Sequence, residues 1–131
     1  YDSGVGGLTV LSQMIKFFPN EDFIYVADQA NAPFGSKSKE ELKIINDNIL
    51  DFLISKNIKL LIIACNTSCA LFLSYISNKV DIPVIDLITP ISQKIGIKER
   101  RLAVLATEQT IKSSIYKTVI KNYYPQLAKK L

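Results

Sequence analysis

Short apolar runs, Phe23–Ala27, Leu60–Ala64, Ile82–Leu87 and Arg101–Ala106, recur along this chain with longer amphipathic stretches between them. A short apolar run closed by polar residues reads as a buried strand, and the stretches between carry the spacing of helices packed by one face. Strands that alternate with helices are joined as parallel neighbours. The pattern therefore predicts an α/β fold with an open, mainly parallel sheet flanked by helices.

Five strand–helix units are expected. Tyr1–Ser3 reads as the tail of a first strand, followed by the turn Gly4-Val5-Gly6-Gly7 and a helix from Leu8 to Phe18. Because the chain opens on a strand's last residues, a few residues are expected to precede Tyr1 in the native protein. Phe23–Ala27 is the second strand, and the loop after it carries Ala32-Pro33-Phe34-Gly35-Ser36. Ser38 and Glu41 form a Ser-x-x-Glu capping box that opens a helix with an apolar face of Leu42, Ile45, Ile49, Phe52 and Leu53, and Asn57 is its stop. The third strand ends in Cys65 and its helix runs to about Lys79. Ile82–Leu87 is the fourth, and Thr89-Pro90 reads as cap and first turn of a helix that Gly96 closes. The fifth, Arg101–Ala106, leads through Thr107-Glu108-Gln109-Thr110 into a helix striped by Ile111, Ile115 and Val119 and broken at Tyr123-Tyr124-Pro125. Gln126–Leu131 carries neither a full strand nor a closing element.

Composition narrows the chemistry. With 131 residues and 48% apolar content the chain can bury a proper core. No apolar run approaches the roughly 18–20 residues that cross a bilayer, and the amino end lacks the layout of a secretory signal, so no membrane partner is expected and the cytoplasm is the default location. Cys65 and Cys69, four residues apart in one strand–helix unit, fit a reducing compartment better than a disulfide framework. There is no histidine, which removes Ser-His and Cys-His catalysis and most zinc sites. Any base must be thiolate, carboxylate, lysine or tyrosine. The net charge of +4 rests on scattered lysines without interleaved aromatics, which reads as solvated faces and not as a nucleic-acid footprint.

Cys65 stands where the third strand ends and its helix begins. Unpaired backbone N–H groups and the helix dipole stabilise an anion at such a junction. In an open parallel sheet ligands bind outside the carboxyl ends of the strands. Asp2-Ser3, Asp28 with the 33–36 loop, Cys65-Asn66-Thr67, Thr89 and Thr107 with Thr110 all follow strands directly, so one rim collects them. Ordinary helix caps and polar loops account for part of this pattern. Two readings of Cys65 stand at this point, an activated thiolate and a buried structural thiol, while Cys69 is expected in or near the core. The glycine loop has neither the G-x-G-x-x-G spacing nor a Walker lysine, and Asp2 at its head would repel phosphate. A small zwitterion fits better, its carboxylate on backbone amides and its ammonium near a carboxylate.

Tyr1-Asp2-Ser3-Gly4-Val5-Gly6-Gly7-Leu8-Thr9-Val10, the Pro33-Phe34-Gly35-Ser36 loop, Ala64-Cys65-Asn66-Thr67, and Ala106-Thr107 with Thr110 together resemble the bacterial glutamate racemases of the cofactor-independent aspartate/glutamate racemase superfamily. The resemblance runs from Tyr1 to about Tyr116. It implies a two-lobed fold, with residues 1–88 as the first α/β lobe and 89–131 as the incomplete beginning of the second. It also implies an isomerase that interconverts L- and D-glutamate for peptidoglycan, without pyridoxal phosphate or any other cofactor and without metal, by passing a proton between two cysteines on opposite faces of the α-carbon. Cys65 matches the first of these cysteines and Asp2 the aspartate that assists it. Ser3, Pro33, Phe34, Gly35, Asn66, Thr67, Thr107 and Thr110 match positions that hold the substrate.

Three departures accompany the likeness. Phe34 stands where the family usually has tyrosine, and Ala27-Asp28-Gln29-Ala30-Asn31 replaces the usual Gly-Asp-Thr-Ala-Arg. The family's second cysteine, in a Cys-Thr-His motif, lies in a later segment that this chain does not contain, and Cys69 cannot reach the opposite face of a substrate. The leading expectation is thus the amino-terminal portion of a racemase, inactive by itself. The alternatives are a shortened module that binds an acidic amino acid or a partner protein without turnover, and a phosphate-binding α/β domain. Oligomeric state stays open, a homodimer included.

Overall fold

The computed structural model describes residues 1–95 and 102–125. Two strands, β1 (Leu61–Ile63) and β2 (Val84–Asp86), pair in parallel with Leu61 opposite Val84 and Ile63 opposite Asp86. The helix α3 (Asn66–Lys79) carries the crossover between them, as a parallel pair requires. On the other side of β1, the Tyr1 N–H donates to the Ile62 carbonyl at 2.9 Å and the Ala64 N–H to the Tyr1 carbonyl at 2.9 Å. The Asp2 N–H then donates to Val26 O at 2.9 Å, and Asp28 N–H to Asp2 O at 3.0 Å, closing a parallel bridge between Asp2 and Ala27. The layer therefore runs Val26–Asp28, Tyr1–Asp2, β1, β2, all parallel.

This is the expected α/β fold with shorter strands. The first and second predicted strands contribute single bridges, because the chain turns away at the glycine loop after Asp2 and Phe23–Ala27 lies at the edge with one neighbour. The predicted fifth strand is a correction. Residues 102–106 make no ladder among the described residues, and Leu105 is 98% exposed. A strand exists by virtue of its partner, and among the described residues β2 pairs with β1 alone. Arg101, Gly96 and Gln126–Leu131 lie outside the described residues.

The helix α2 (Lys39–Ile54) forms for the reason its sequence gives. Glu41 N–H donates to Ser38 Oγ at 3.2 Å and Ser38 N–H to Glu41 Oε2 at 2.9 Å, a complete capping box. Its buried face is Leu42, Asn46, Ile49, Leu50 and Leu53, whereas Phe52 is 47% exposed. Phe52 is rotated about 100° from its neighbour Leu53, off the core stripe. Asn46 is buried because it is satisfied. Tyr1 O–H donates to its Oδ1 at 2.5 Å, and its Nδ2 donates to Leu42 O at 2.7 Å. Asn57 ends the segment in a left-handed conformation, φ 53°.

Two helix boundaries differ from expectation. In α4 (Ile88–Gln93) the first-turn N–H of Thr89 donates to the Asp86 carboxylate at 2.7 Å, so Asp86 satisfies the helix start in place of Thr89. The helix expected after Thr110 is split into α5 (Glu108–Lys112) and α6 (Ile115–Tyr123). Ser113 O–H donates to Thr110 O at 2.6 Å while Ile115 N–H donates to Ser113 Oγ at 3.2 Å, and Ser114 sits at φ 56°. A serine that serves both its own turn and the next helix competes with the helical ladder. Ile111 is consequently exposed, and Ile120 takes the buried place with Ile115 and Val119 partly covered.

The helix α1 (Leu8–Phe17) has no fully buried residue. Beneath it lies a cavity of about 590 Å³ whose lining includes Val10, Leu11, Met14, Ile24, Leu53 and Ile58. Cys65, Thr67, Thr107 and Thr110 do not line it. No helix among the described residues is long and apolar enough to cross a membrane.

Candidate functional site

Asp2 ends its strand and is then folded back upon by the glycine loop. Its carboxylate accepts the Ser3 N–H at 2.8 Å and the Gly7 N–H at 2.8 Å. A Cβ on Gly7 would lie 2.7 Å from the Tyr25 hydroxyl, 2.9 Å from Asp2 Cβ and 3.0 Å from Ala64 Cβ, so only glycine allows this approach. Tyr25 was not foreseen as part of the site. Its hydroxyl donates to Gly4 O at 2.7 Å and braces the loop from behind. Burial, joined by the Asp2 carboxylate, raises that phenol above its ordinary pKa. The Ser3 and Gly7 amides are committed to Asp2, and those of Leu8 and Thr9 donate to the Val5 and Gly6 carbonyls.

Cys65 leaves the neighbouring strand. The hydrogen bonds that set Tyr1 beside Ile63 bring Ser3 and Cys65 out at the same end of adjacent strands, about 4.8 Å being the usual strand spacing. Cys65 is the N-cap of α3, in extended conformation, and its side chain makes no capping bond. Sulfur thus leaves the first-turn amides of a 14-residue helix without the oxygen that Ser or Asp would supply there. Both thiols are buried, Cys65 at 3% exposure and Cys69 at 1%. Cys69 is core, as its sequence position suggested. Its Sγ donates to Ile63 O at 3.2 Å, and burial pushes its pKa up to about 12, with Asp86 adding to the rise.

Three hydroxyls complete the rim. Thr107 Oγ1 lies 2.9 Å from Thr67 Oγ1 and 3.0 Å from Thr110 Oγ1, a row that joins the start of α3 to the start of α5. Thr107 occupies the N-cap of α5, yet its side chain makes no capping bond and is spent on this row. Thr67 and Thr110 are buried. Gly35 rests against Thr107, and Gln109 Nε2 donates to Lys37 O at 2.9 Å. Gln109 was not singled out from the sequence because a lone polar residue in a helix's first turn carries no pattern.

Of the other anticipated residues, Ser3 is half-buried beside Asp2, Asn66 is exposed at the first position of α3, and Pro33 is exposed after a cis Ala32–Pro33 bond. Phe34 is 2% exposed and its ring belongs to the core, so only its backbone faces the loop. Asp28 is engaged by Asn31, whose Nδ2 donates to both carboxylate oxygens at 2.9 and 2.8 Å. Thr89 lies in α4, tied to Asp86. Among the described residues no group of three or more His, Cys, Asp or Glu side chains is arranged to hold a metal ion.

Residues 8–130 match the family model described as Asp/Glu/Hydantoin racemase. The chain belongs to that family. The match to this racemase family begins past Asp2 and Ser3 and includes Cys65 and the hydroxyl row. A glutamate racemase of Geobacter metallireducens is 43% identical over 129 residues, which is 97% of this chain and 48% of that protein. The crystal structure of a glutamate racemase from Bacillus anthracis superposes with TM-score 0.87 at 33% identity, covering 96% of this chain and 48% of that one. The Francisella tularensis glutamate racemase, solved in complex with D-glutamate, gives TM-score 0.86 at 34% identity over 97% of this chain and 48% of that one. This racemase-family chain spans about half the length of the curated relatives it matches.

Proposed function

We propose that this chain is the amino-terminal portion of a glutamate racemase, with residues 1–88 forming the first α/β lobe and 89–131 opening the second. The observation that carries the reading is the rim itself. Asp2, Cys65 at the amino end of α3, and the Thr67–Thr107–Thr110 row stand at one end of parallel strands. Relatives of similar sequence bear the name glutamate racemase, and one of the solved ones holds D-glutamate.

The α-proton of an amino acid is a weak acid, so its base must be close and the charge that develops must be met by fixed donors. Cys65, as thiolate, takes that proton: the Cα–H bond breaks as an S–H bond forms. Asp2 sits beside it to assist. The threonine hydroxyls, with Ser3, Asn66 and the backbone of Pro33, Phe34 and Gly35, hold the carboxylate and ammonium groups while charge builds on the carboxylate. A second thiol then returns a proton to the opposite face. Cys69 cannot be that thiol, because its sulfur is committed to the Ile63 carbonyl within the core. This chain brings one of the two proton carriers, so by itself it binds glutamate and does not invert it. In this reading the complete enzyme works in the cytoplasm, without pyridoxal phosphate or metal, and supplies D-glutamate for peptidoglycan.

Titration calorimetry of the 131-residue chain with D-glutamate tests the binding half of the proposal. Saturable binding that Thr67→Val weakens supports it. A folded chain that takes up no D-glutamate contradicts it.

A further inference from the structure

The contact between the 33–37 loop and the start of α5 has a shape that a bystander would not need. An ideal Cβ on Gly35 would lie 2.5 Å from Thr107 Cβ, 2.8 Å from its Cγ2 and 3.3 Å from its Oγ1. Nothing about Gly35's backbone calls for glycine, because no glycine among the described residues has positive φ. Space alone demands it. Thr107 is seated on the bare Cα of Gly35, and its hydroxyl reaches Thr67 at 2.9 Å from that seat. Two residues on, Gln109 Nε2 holds Lys37 O at 2.9 Å across 72 residues of sequence. The loop after the second strand thus grips the first turn of α5 at two points.

We infer that Gly35 and Gln109 are positioning residues that clasp the start of α5 to the 33–37 loop and thereby fix the spacing of the Thr67–Thr107–Thr110 hydroxyl row. The role of Gly35 in this account is steric and acts through Thr107. A methyl at 35 must push Thr107 away by about 1 Å to restore ordinary contact, since heavy-atom approaches begin near 3.5 Å. That shift breaks a 2.9 Å hydroxyl contact, and misplacements of about 1 Å cost as much as 100-fold at sites that depend on geometry. Gln109 supplies one hydrogen bond to the same clasp and has the smaller effect. The consequence for ligand rests on the glutamate reading above. The clasp itself does not.

Two measurements on the 131-residue chain separate them. A double-mutant cycle on thermal stability pairs Gly35→Ala with Thr107→Gly. The alanine lowers the melting temperature when Thr107 is present and has little effect once its Cβ is gone, because the clash has been removed. Equal loss in both backgrounds overturns the clasp. Calorimetry with D-glutamate then reads the site. Gly35→Ala weakens binding by about tenfold or more, and Gln109→Ala, a half-buried position outside the core cluster, by roughly two- to fivefold. Unchanged affinity in both variants overturns their positioning role. If the cycle shows coupling but the parent chain takes up no D-glutamate, the ligand reading fails while the clasp stands.

Discussion

The first residue of α3's cap and the residue one turn further in carry the same side chain, yet the structure treats them differently. Cys65 and Cys69 are nearly equal in burial, so access to solvent does not separate them. Backbone does. Cys65 precedes the helix, its side chain outside the capping bonds, at the end where first-turn amides lack intrahelical partners. Cys69 follows the Cys65 carbonyl in the ladder at 2.9 Å, donates its proton to Ile63 O, and lies near Asp86, a setting that keeps a thiol neutral. In the proposed reading, one helical turn separates the proton carrier from a core thiol.

The widest gap between the two positions is expected in turnover. In the complete racemase carrying this segment, Cys65→Ala lowers racemisation in both directions by at least about 1,000-fold, whereas Cys69→Ala leaves it within about tenfold, as steady-state polarimetry will show. Appreciable turnover by Cys65→Ala breaks the comparison outright. Asp2→Ala comes next. It strips the Ser3 and Gly7 amides of their acceptor, at about 1–3 kcal/mol for each amide left unmet, and unfolding in urea is expected to begin at lower concentration. A smaller change belongs to Thr67→Val, which keeps the shape and loses the 2.9 Å contact with Thr107, for about 1 kcal/mol in D-glutamate affinity by calorimetry.

The last effect is confined to alkaline pH and is absent near neutrality. The Cys69 thiol is raised from 9.0 to about 12 in the folded chain, so the folded state holds this proton more tightly than the unfolded one. Its contribution to stability is full below pH 9.0 and is lost as pH climbs toward about 12. Cys69→Ala is therefore expected to flatten the fall in melting temperature across that window, relative to the parent chain. A slope that does not change would show that this buried thiol plays no part in alkaline unfolding.

Much of this was legible in the residues. The run Leu60–Ala64 before Cys65, the Ser38–Glu41 box and the crossover helix announced the strand ends on which the site stands, because local patterns fix each of them. Thr107 and Thr110 were placed at the rim by resemblance and by their position after an apolar run, although residues 102–106 form no strand among the described residues. What stayed hidden depends on pairs far apart in sequence. Gly7 against Tyr25, Gly35 against Thr107, and Asn46 under Tyr1 leave no periodic trace, since each is a matter of how closely two distant backbones approach. Phe34 shows the same limit from the other side. The resemblance marked its position as a substrate-holding one, and the structure buries its ring in the core, which leaves its backbone for that role.

Competitive alkylation tests the central claim most directly. The chain is treated with iodoacetamide, with and without D-glutamate, and modification at Cys65 and Cys69 is followed separately by peptide mass spectrometry. Cys65 is expected to react faster than Cys69, and D-glutamate to slow Cys65 alone. Equal, slow labelling of both thiols that D-glutamate leaves unaltered would contradict the assignment of Cys65 as the proton carrier.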